Sequence, residues 1–239
     1  MMRCLTSILC FTILFAHDPE AKLPDWKQYY RLGAVNVGTE YLGLASYGRL
    51  KRTTESTFRD LRFFGHFFKE DQEIRVRQKT SRRFLSFNRY YTYNTLVYEK
   101  NTFINVDLRY HYNQGLGWFI RRSEVGNMTG EFGIAFDNSD YLNTTQKTNY
   151  VRTGFTADQT MGKLETKLEL DYFYQLSEKV ADTDLSRFQL VGEIQYSIKK
   201  GLSILCGITQ DFHRGESFNF NTASVFLTLA MKRPLNWNF

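Results

Sequence analysis

Proline and cysteine are scarce in this sequence, and long apolar runs are missing. Three prolines among 239 residues, set against 15 tyrosines and 21 phenylalanines, favour strands over helices. No stretch of about 18 apolar residues occurs. With a mean hydropathy of −0.42, that excludes a bundle of membrane helices. Charge of one sign is not concentrated either. The 31 Lys and Arg against 25 Asp and Glu leave a net +6. They are spread as single residues with carboxylates nearby, with no basic helix or recognition module, so nucleic acid is not an expected partner.

The start of the chain differs in kind. MMRCLTSILCFTILFAHD has one arginine, an apolar run from Leu5 to Ala16, then polar residues. A short positive region, a greasy core and a small residue at the break predict a cleavable signal peptide over residues 1–16, with 17–239 as one domain. Cys10 lies inside the greasy core, too early for lipid attachment. Removal of this segment takes Cys4 and Cys10 with it, so Cys206 remains alone and no internal disulfide can form. Cys206 falls on the apolar face of its segment and is read as packing.

What the rest of the chain has is alternation. From Phe103 to Ile120, one face carries Ile104, Val106, Leu108, Tyr110, Tyr112, Leu116, Trp118 and Ile120; the other carries Asn105, Asp107, Arg109, His111 and Asn113. Only a period of two separates these sets, which predicts a strand. In LETKLELDYFY, Leu164, Leu168, Leu170, Tyr172 and Tyr174 alternate with Glu165, Lys167, Glu169, Asp171 and Phe173. The segments 128–137, 188–198, 202–209 and 222–232 repeat the pattern. Polar breaks at Gly38–Thr39, Thr53–Ser56, Glu70–Gln72, Ser86–Asn88, Lys100–Asn101, Ser123–Gly126, Asn138–Gln146, Asp158–Gly162, Ser177–Asp182, Lys199–Gly201 and Gly215–Asn219 predict twelve antiparallel strands.

Two folds fit such strands, and they assign the faces oppositely. A soluble barrel points the apolar face inward; a transmembrane barrel points it at lipid and the charges at the lumen. The signal-like start, strand lengths near the 9–11 residues that cross a bilayer, and aromatics near the ends of the apolar faces favour the membrane. Charges facing lipid at the midplane would cost ~2–4 kcal/mol for Lys and less for acids, so Glu165, Lys167, Glu169 and Asp171 on one strand belong inside. The fold class expected is therefore all-β, a closed antiparallel transmembrane β-barrel in the cell outer membrane. Its partners would be outer-membrane lipid and, through a last strand ending in Phe239, the barrel-assembly machinery. Asp107, Arg109, His111, Glu131, Arg152, Glu165, Lys167, Glu169, Asp171, Glu193 and Asp211 are the expected lumen-facing residues and a candidate ion pathway.

The stretches RRFLSFNRYYTYNTLVYEKNTF, DLRYHYNQGLGW and GEFGIAF resemble the domain-of-unknown-function family of salt-induced outer-membrane β-barrel proteins. The turn region at Arg83–Asn88, the YEKN end at Tyr98–Asn101, the Arg109–Tyr110 pair and the GLGW element at Gly115–Trp118 carry the resemblance. Trp118 stands where tyrosine is usual and Asn101 where an acid is usual. The resemblance implies an outer-membrane barrel with no established activity, a structural or narrow-pore role, and a link to salt or osmotic conditions.

Chemistry beyond this is thin. No base, nucleophile and orienting group can be assembled from His17, His66, His111 and His213, so no catalytic residue is assigned. Asp211 with His213, and Asp107 with His111, share strand faces, but no third metal ligand is identifiable. Gly115-Leu116-Gly117 opens no helix, so no phosphate loop is read there. No cofactor or metal is expected. A lipid-modifying barrel enzyme and a soluble periplasmic barrel binding an apolar ligand are the alternative functions.

Overall fold

Alternation with period two becomes twelve strands in the computed structural model, which describes residues 26–38, 41–102, 106–139, 146–177, 184–213 and 223–235. The expected signal peptide and Phe239 lie outside the described residues. The strands are β1 (Trp26–Val37), β2 (Tyr41–Thr53), β3 (Thr57–Phe67), β4 (Gln72–Arg83), β5 (Tyr90–Asn101), β6 (Val106–Ser123), β7 (Gly126–Ser139), β8 (Gln146–Met161), β9 (Leu164–Gln175), β10 (Arg187–Lys199), β11 (Leu202–His213) and β12 (Ser224–Leu235). Each pairs antiparallel with its sequence neighbours. The ring closes where β1 pairs β12, from Trp26↔Leu235 to Val37↔Ser224. Closure leaves no sheet edge, the condition for spanning a bilayer with strands.

The expected twelve-strand antiparallel barrel is what forms. Boundaries shift by a few residues: the break expected at Lys100–Asn101 falls at 102–105, and β8 runs on through Met161. The connections sort by side. Those on the side of residues 26 and 235 include the tight turns 124–125, 162–163 and 200–201. Gly162 and Gly201 take φ of 61° and 78° there, a conformation that glycine adopts without strain. The opposite side carries the longer connections 140–145, 176–186 and 214–223. Short turns on the side of the termini and longer loops opposite are the pattern of outer-membrane barrels, where the short turns are periplasmic.

The outer wall is apolar. Leu32, Leu116, Phe132, Ile134, Ile194, Leu227 and Leu229 are all more than half exposed. A soluble monomer does not carry such a belt, whose extent far exceeds the few hundred Å² of an ordinary exposed patch. Aromatics gather toward both ends of it. Tyr172, Phe188 and Phe212 stack across β9, β10 and β11 near the long loops, with ring centroids 4.2 and 5.3 Å apart. Tyr30, Tyr90, Trp118 and Tyr196 stand exposed nearer the short turns. These are the two interfacial girdles of a membrane barrel.

Three bulges break the alternation. Between Glu99↔Arg109 and Asn101↔Val106, β6 carries one residue more than β5. A strict period over 103–120 cannot survive that insertion: Val106, expected on the outer face, is fully buried, and Asp107 turns outward. Further bulges fall at Ile120 in β6 and Ile198 in β10. The interior is not wholly polar either. Val35, Ala45, Leu205 and Phe226 form one apolar cluster inside the wall, and Ala135, Tyr150, Phe173 and Leu185 form another.

Ile134, at mid-strand on the lipid face, tests this sidedness. Ile134→Arg is expected to destabilise folding into phospholipid vesicles by about 2–4 kcal/mol, while Glu124→Arg in the β6–β7 turn costs about 0–1 kcal/mol. Urea titrations of vesicle-folded protein followed by tryptophan emission check both.

Candidate functional site

The lumen is filled at its middle by ion pairs that join strands across the barrel. Glu169 of β9 sits at the hub. Its carboxylate lies 3.1 Å from Arg62 Nη1 of β3, 3.6 Å from Arg77 Nη1 of β4 and 3.0 Å from Lys167 Nζ of its own strand. β3 and β9 are diametrically opposite in the strand order, so the Arg62–Glu169 pair is a strut across the lumen. From this hub a chain of alternating charge runs both ways. Arg62 Nε reaches Asp60 at 2.6 Å, and Asp60 also takes Arg49 at 2.5 Å. Lys167 lies 3.7 Å from Glu193, which pairs with Arg31 at 2.7 Å.

Further groups stand above and beside this chain. Glu131 of β7 accepts from Lys79 of β4, from Tyr91 Oη at 2.9 Å and from Arg152 at 2.9 Å. Arg152 in turn reaches Asp171 at 2.5 Å and donates to Tyr93 Oη at 2.9 Å. Arg75 of β4 bridges Glu99 at 3.1 Å and Asp211 of β11 at 3.0 Å; Arg109 lies 3.3 Å from Glu99, and Gln189 Nε2 donates to Asp211 at 3.0 Å. Asp137 joins His111 to Arg187, the latter at 2.9 Å, and Asn113 Nδ2 lies 2.8 Å from His111 Nε2. The Arg187 guanidinium rests 4.5 Å from the centroid of the Phe173 ring. Among these groups lies a cavity of about 60 Å³ lined by Arg75, Glu99, Arg152, Glu169, Asp171 and Arg187, among others. That is room for one or two waters.

The strands dictate this convergence. On β4 and β9 charges recur at every second position, so a single face of each presents a ladder of charge, while the inward faces of β3 and β10 add Asp60 with Arg62 and Arg187 with Glu193. Closing the ring aims all these ladders at a common axis. Buried charges persist only when paired, and cations and anions here are interleaved so that nearly every one meets its opposite.

Of the residues singled out from sequence, Arg109, His111, Glu131, Arg152, Lys167, Glu169, Asp171, Glu193 and Asp211 point into the lumen and take part in these groups. Glu165 is half-buried and pairs in register with Gln195, nearer the short-turn end. Asp107 does not join them: it is 79% exposed on the outer rim, 3.4 Å from Lys100, because the β6 bulge reverses its parity. Sequence reasoning missed Arg31, Asp60, Arg62, Glu73, Arg75, Arg77, Lys79, Glu99, Asp137 and Arg187. The signal was present in QEIRVRQK, where Glu73, Arg75, Arg77 and Lys79 alternate with Ile74, Val76 and Gln78.

His66 and His111 are both buried inside, His66 lying 3.2 Å from Glu73. His17 and the side chain of His213 fall outside the described residues. Among the described residues no group of three or more His, Cys, Asp or Glu is placed to hold a metal ion.

No family model matches the chain, and no curated protein matches it. Solved structures do. The NanC porin superposes with a TM-score of 0.52 at 10% identity, over 87% of this chain and 99% of its own. This likeness is one of fold. The KdgM porin in complex with disordered oligogalacturonate follows at a TM-score of 0.48 and 10% identity, over 88% of this chain and 99% of its own. The translocator domain of the autotransporter NalP from Neisseria meningitidis gives 0.45 at 10% identity, over 91% and 90%.

Glu169→Ala leaves Arg62, Arg77 and Lys167 without their shared acceptor. The expected loss is about 3–5 kcal/mol of unfolding free energy. Combining it with Arg62→Ala should cost less than the sum of the two single changes, by about 0.5–3 kcal/mol. Urea unfolding of the four proteins in detergent micelles measures both.

Proposed function

We propose that this chain is an outer-membrane β-barrel whose charged lumen is a narrow passage for ions and small charged solutes, held constricted by its own ion pairs. One observation carries the reading: a wall-to-wall lattice of paired charges occupies the lumen of a barrel with an apolar exterior. The barrel fold shared with the NanC porin agrees with this assignment, but the charge pattern of this chain is its basis. Such a lattice offers a permeating ion successive partners of either sign, and ion pairs exchange partners more readily than an apolar core repacks. With Arg62–Glu169, Arg75–Asp211 and Lys79–Glu131 spanning the lumen, a sugar cannot pass without rearrangement.

The soluble-barrel alternative requires a polar exterior, and this exterior is apolar. A lipid-modifying enzyme needs a base at the lipid-facing surface, whereas His66 and His111 face inward. The filled lumen does favour a second reading, a purely structural barrel. The resemblance to the salt-induced family adds a setting to either: a component of the envelope called on when external salt or osmolarity changes.

Planar bilayer recordings separate the two readings. Conductance in small, discrete steps is expected. Replacing Glu165 and Glu169 by Gln and Asp171 by Asn leaves the lumen cations in excess, so the reversal potential in a salt gradient should move toward anion selectivity. Silence of both the native protein and Arg62→Ala at all voltages would overturn the passage and leave the structural barrel.

A further inference from the structure

The outer wall holds a feature that the lumen does not explain. From the short-turn ends of β6 and β7 across to β12 the lipid-facing surface is hollowed, with a volume of about 630 Å³. The hollow follows from register. Across the sheet, Met128, Ala157, Leu168, Gly192, Ile208 and Val225 form one continuous row of outward positions. The next row holds Thr166 and Cys206. Small side chains at Ala157, Gly192, Thr166 and Cys206 lower the surface between larger neighbours. Leu168 and Ile208 are accordingly partly buried although they face outward, while Leu32 on β1, away from the hollow, is 58% exposed.

At one end of that row stands a cation. The bulge at Ile120 reverses the parity of β6, so Arg121 pairs with the outward Met128 and lines the hollow. Among the described residues no carboxylate ion-pairs with Arg121. A guanidinium on a lipid-facing wall is tolerated near the interface and costs progressively more with depth, unless an anion meets it. Arg89 lies alongside, its carbonyl accepting from Phe119 N at 2.8 Å, in a loop whose Leu85 and Phe87 are strongly exposed. Both arginines sit at the short-turn end of the barrel, where closure of the ring brings Arg82, Arg83, Arg122, Lys199 and Lys200 to the same side. The hollow has the size of an ordinary ligand site, a largely apolar lining and the Arg121 guanidinium at one end.

We propose that this hollow binds an anionic glycerophospholipid of the leaflet at the short-turn end, its phosphate on Arg121 and an acyl chain lying along Ala157, Leu168, Gly192 and Ile208. Guanidinium and phosphate match in charge and in bidentate geometry, and the chain fills a surface that a convex barrel would otherwise leave poorly packed. The inference rests on the membrane assignment and is independent of whether the lumen conducts.

Native mass spectrometry of the purified full-length chain, supplied with equal amounts of dioleoyl phosphatidylglycerol and dioleoyl phosphatidylcholine, tests it. One phosphatidylglycerol should be retained in preference. Arg121→Gln should lower that retention about tenfold, to the level of phosphatidylcholine, and Arg121→Lys should restore part of it. Gly192→Leu, whose Cβ would stand 3.3 Å from Ile208 Cγ2, fills the hollow and should lower retention of both lipids. Both positions face outward, so heat-modifiable gel mobility should show every variant folded. Equal retention of the two lipids by the native protein, or a phosphatidylglycerol preference that survives Arg121→Gln in folded protein, would overturn the proposal.

Discussion

The seam between β1 and β12 is the constraint on which the rest depends. In hydrocarbon, an unpaired backbone N–H or C=O has no water to turn to, so a spanning sheet must have no edge. Twelve register pairs from Trp26↔Leu235 to Val37↔Ser224 satisfy that demand. Once the ring is closed, the two faces of every strand become different solvents. The outer face meets acyl chains and the inner face meets the other strands' inner faces. A single pattern, apolar alternating with charged, is then sufficient to place leucines in lipid and ion pairs in the lumen.

Closure also explains how the lumen is stabilised. A twelve-strand ring is too narrow to keep so many long charged side chains in bulk water, so each must find its partner within the barrel. Arg62 with Glu169 and Arg75 with Asp211 tie strands that never share a backbone hydrogen bond. Such struts resist flattening of the ring in a way that neighbouring-strand pairs cannot. Two interior apolar clusters work in the same sense: Phe226 against Val35 and Leu205 stiffens the wall beside the seam, and Phe173 against Tyr150 stiffens the wall at β8 and β9.

How much of this the sequence discloses depends on how local the cause is. Period-two alternation is local, and β6, β7, β9, β10, β11 and β12 are legible from it, along with the inward aim of Glu169 and Arg152. Bulges are not local. Nothing in NVDLRY marks the extra residue that hides Val106 and exposes Asp107; it shows only when β6 is set in register against β5. The bulge at Ile120 that turns Arg121 to the outside is equally silent. The ladder of β4 is a different case, since Glu73, Arg75, Arg77 and Lys79 do alternate. Their role is invisible because partners such as Glu131, Glu169 and Asp211 lie far along the chain and meet them only when the cylinder closes. Partner choice across a lumen is a property of shear and diameter, which no segment carries alone.

The side of the wall that meets lipid decides everything else in this barrel. Single cysteines placed at Ile134, Ile194 and Leu227 in a cysteine-free background can carry a fluorophore into vesicles whose acyl chains are brominated. All three labels should be strongly quenched by the lipid and insensitive to iodide in the aqueous phase. Labels quenched by iodide and untouched by bromine would show that the apolar belt does not face the membrane, and would contradict the barrel's assignment as a transmembrane protein.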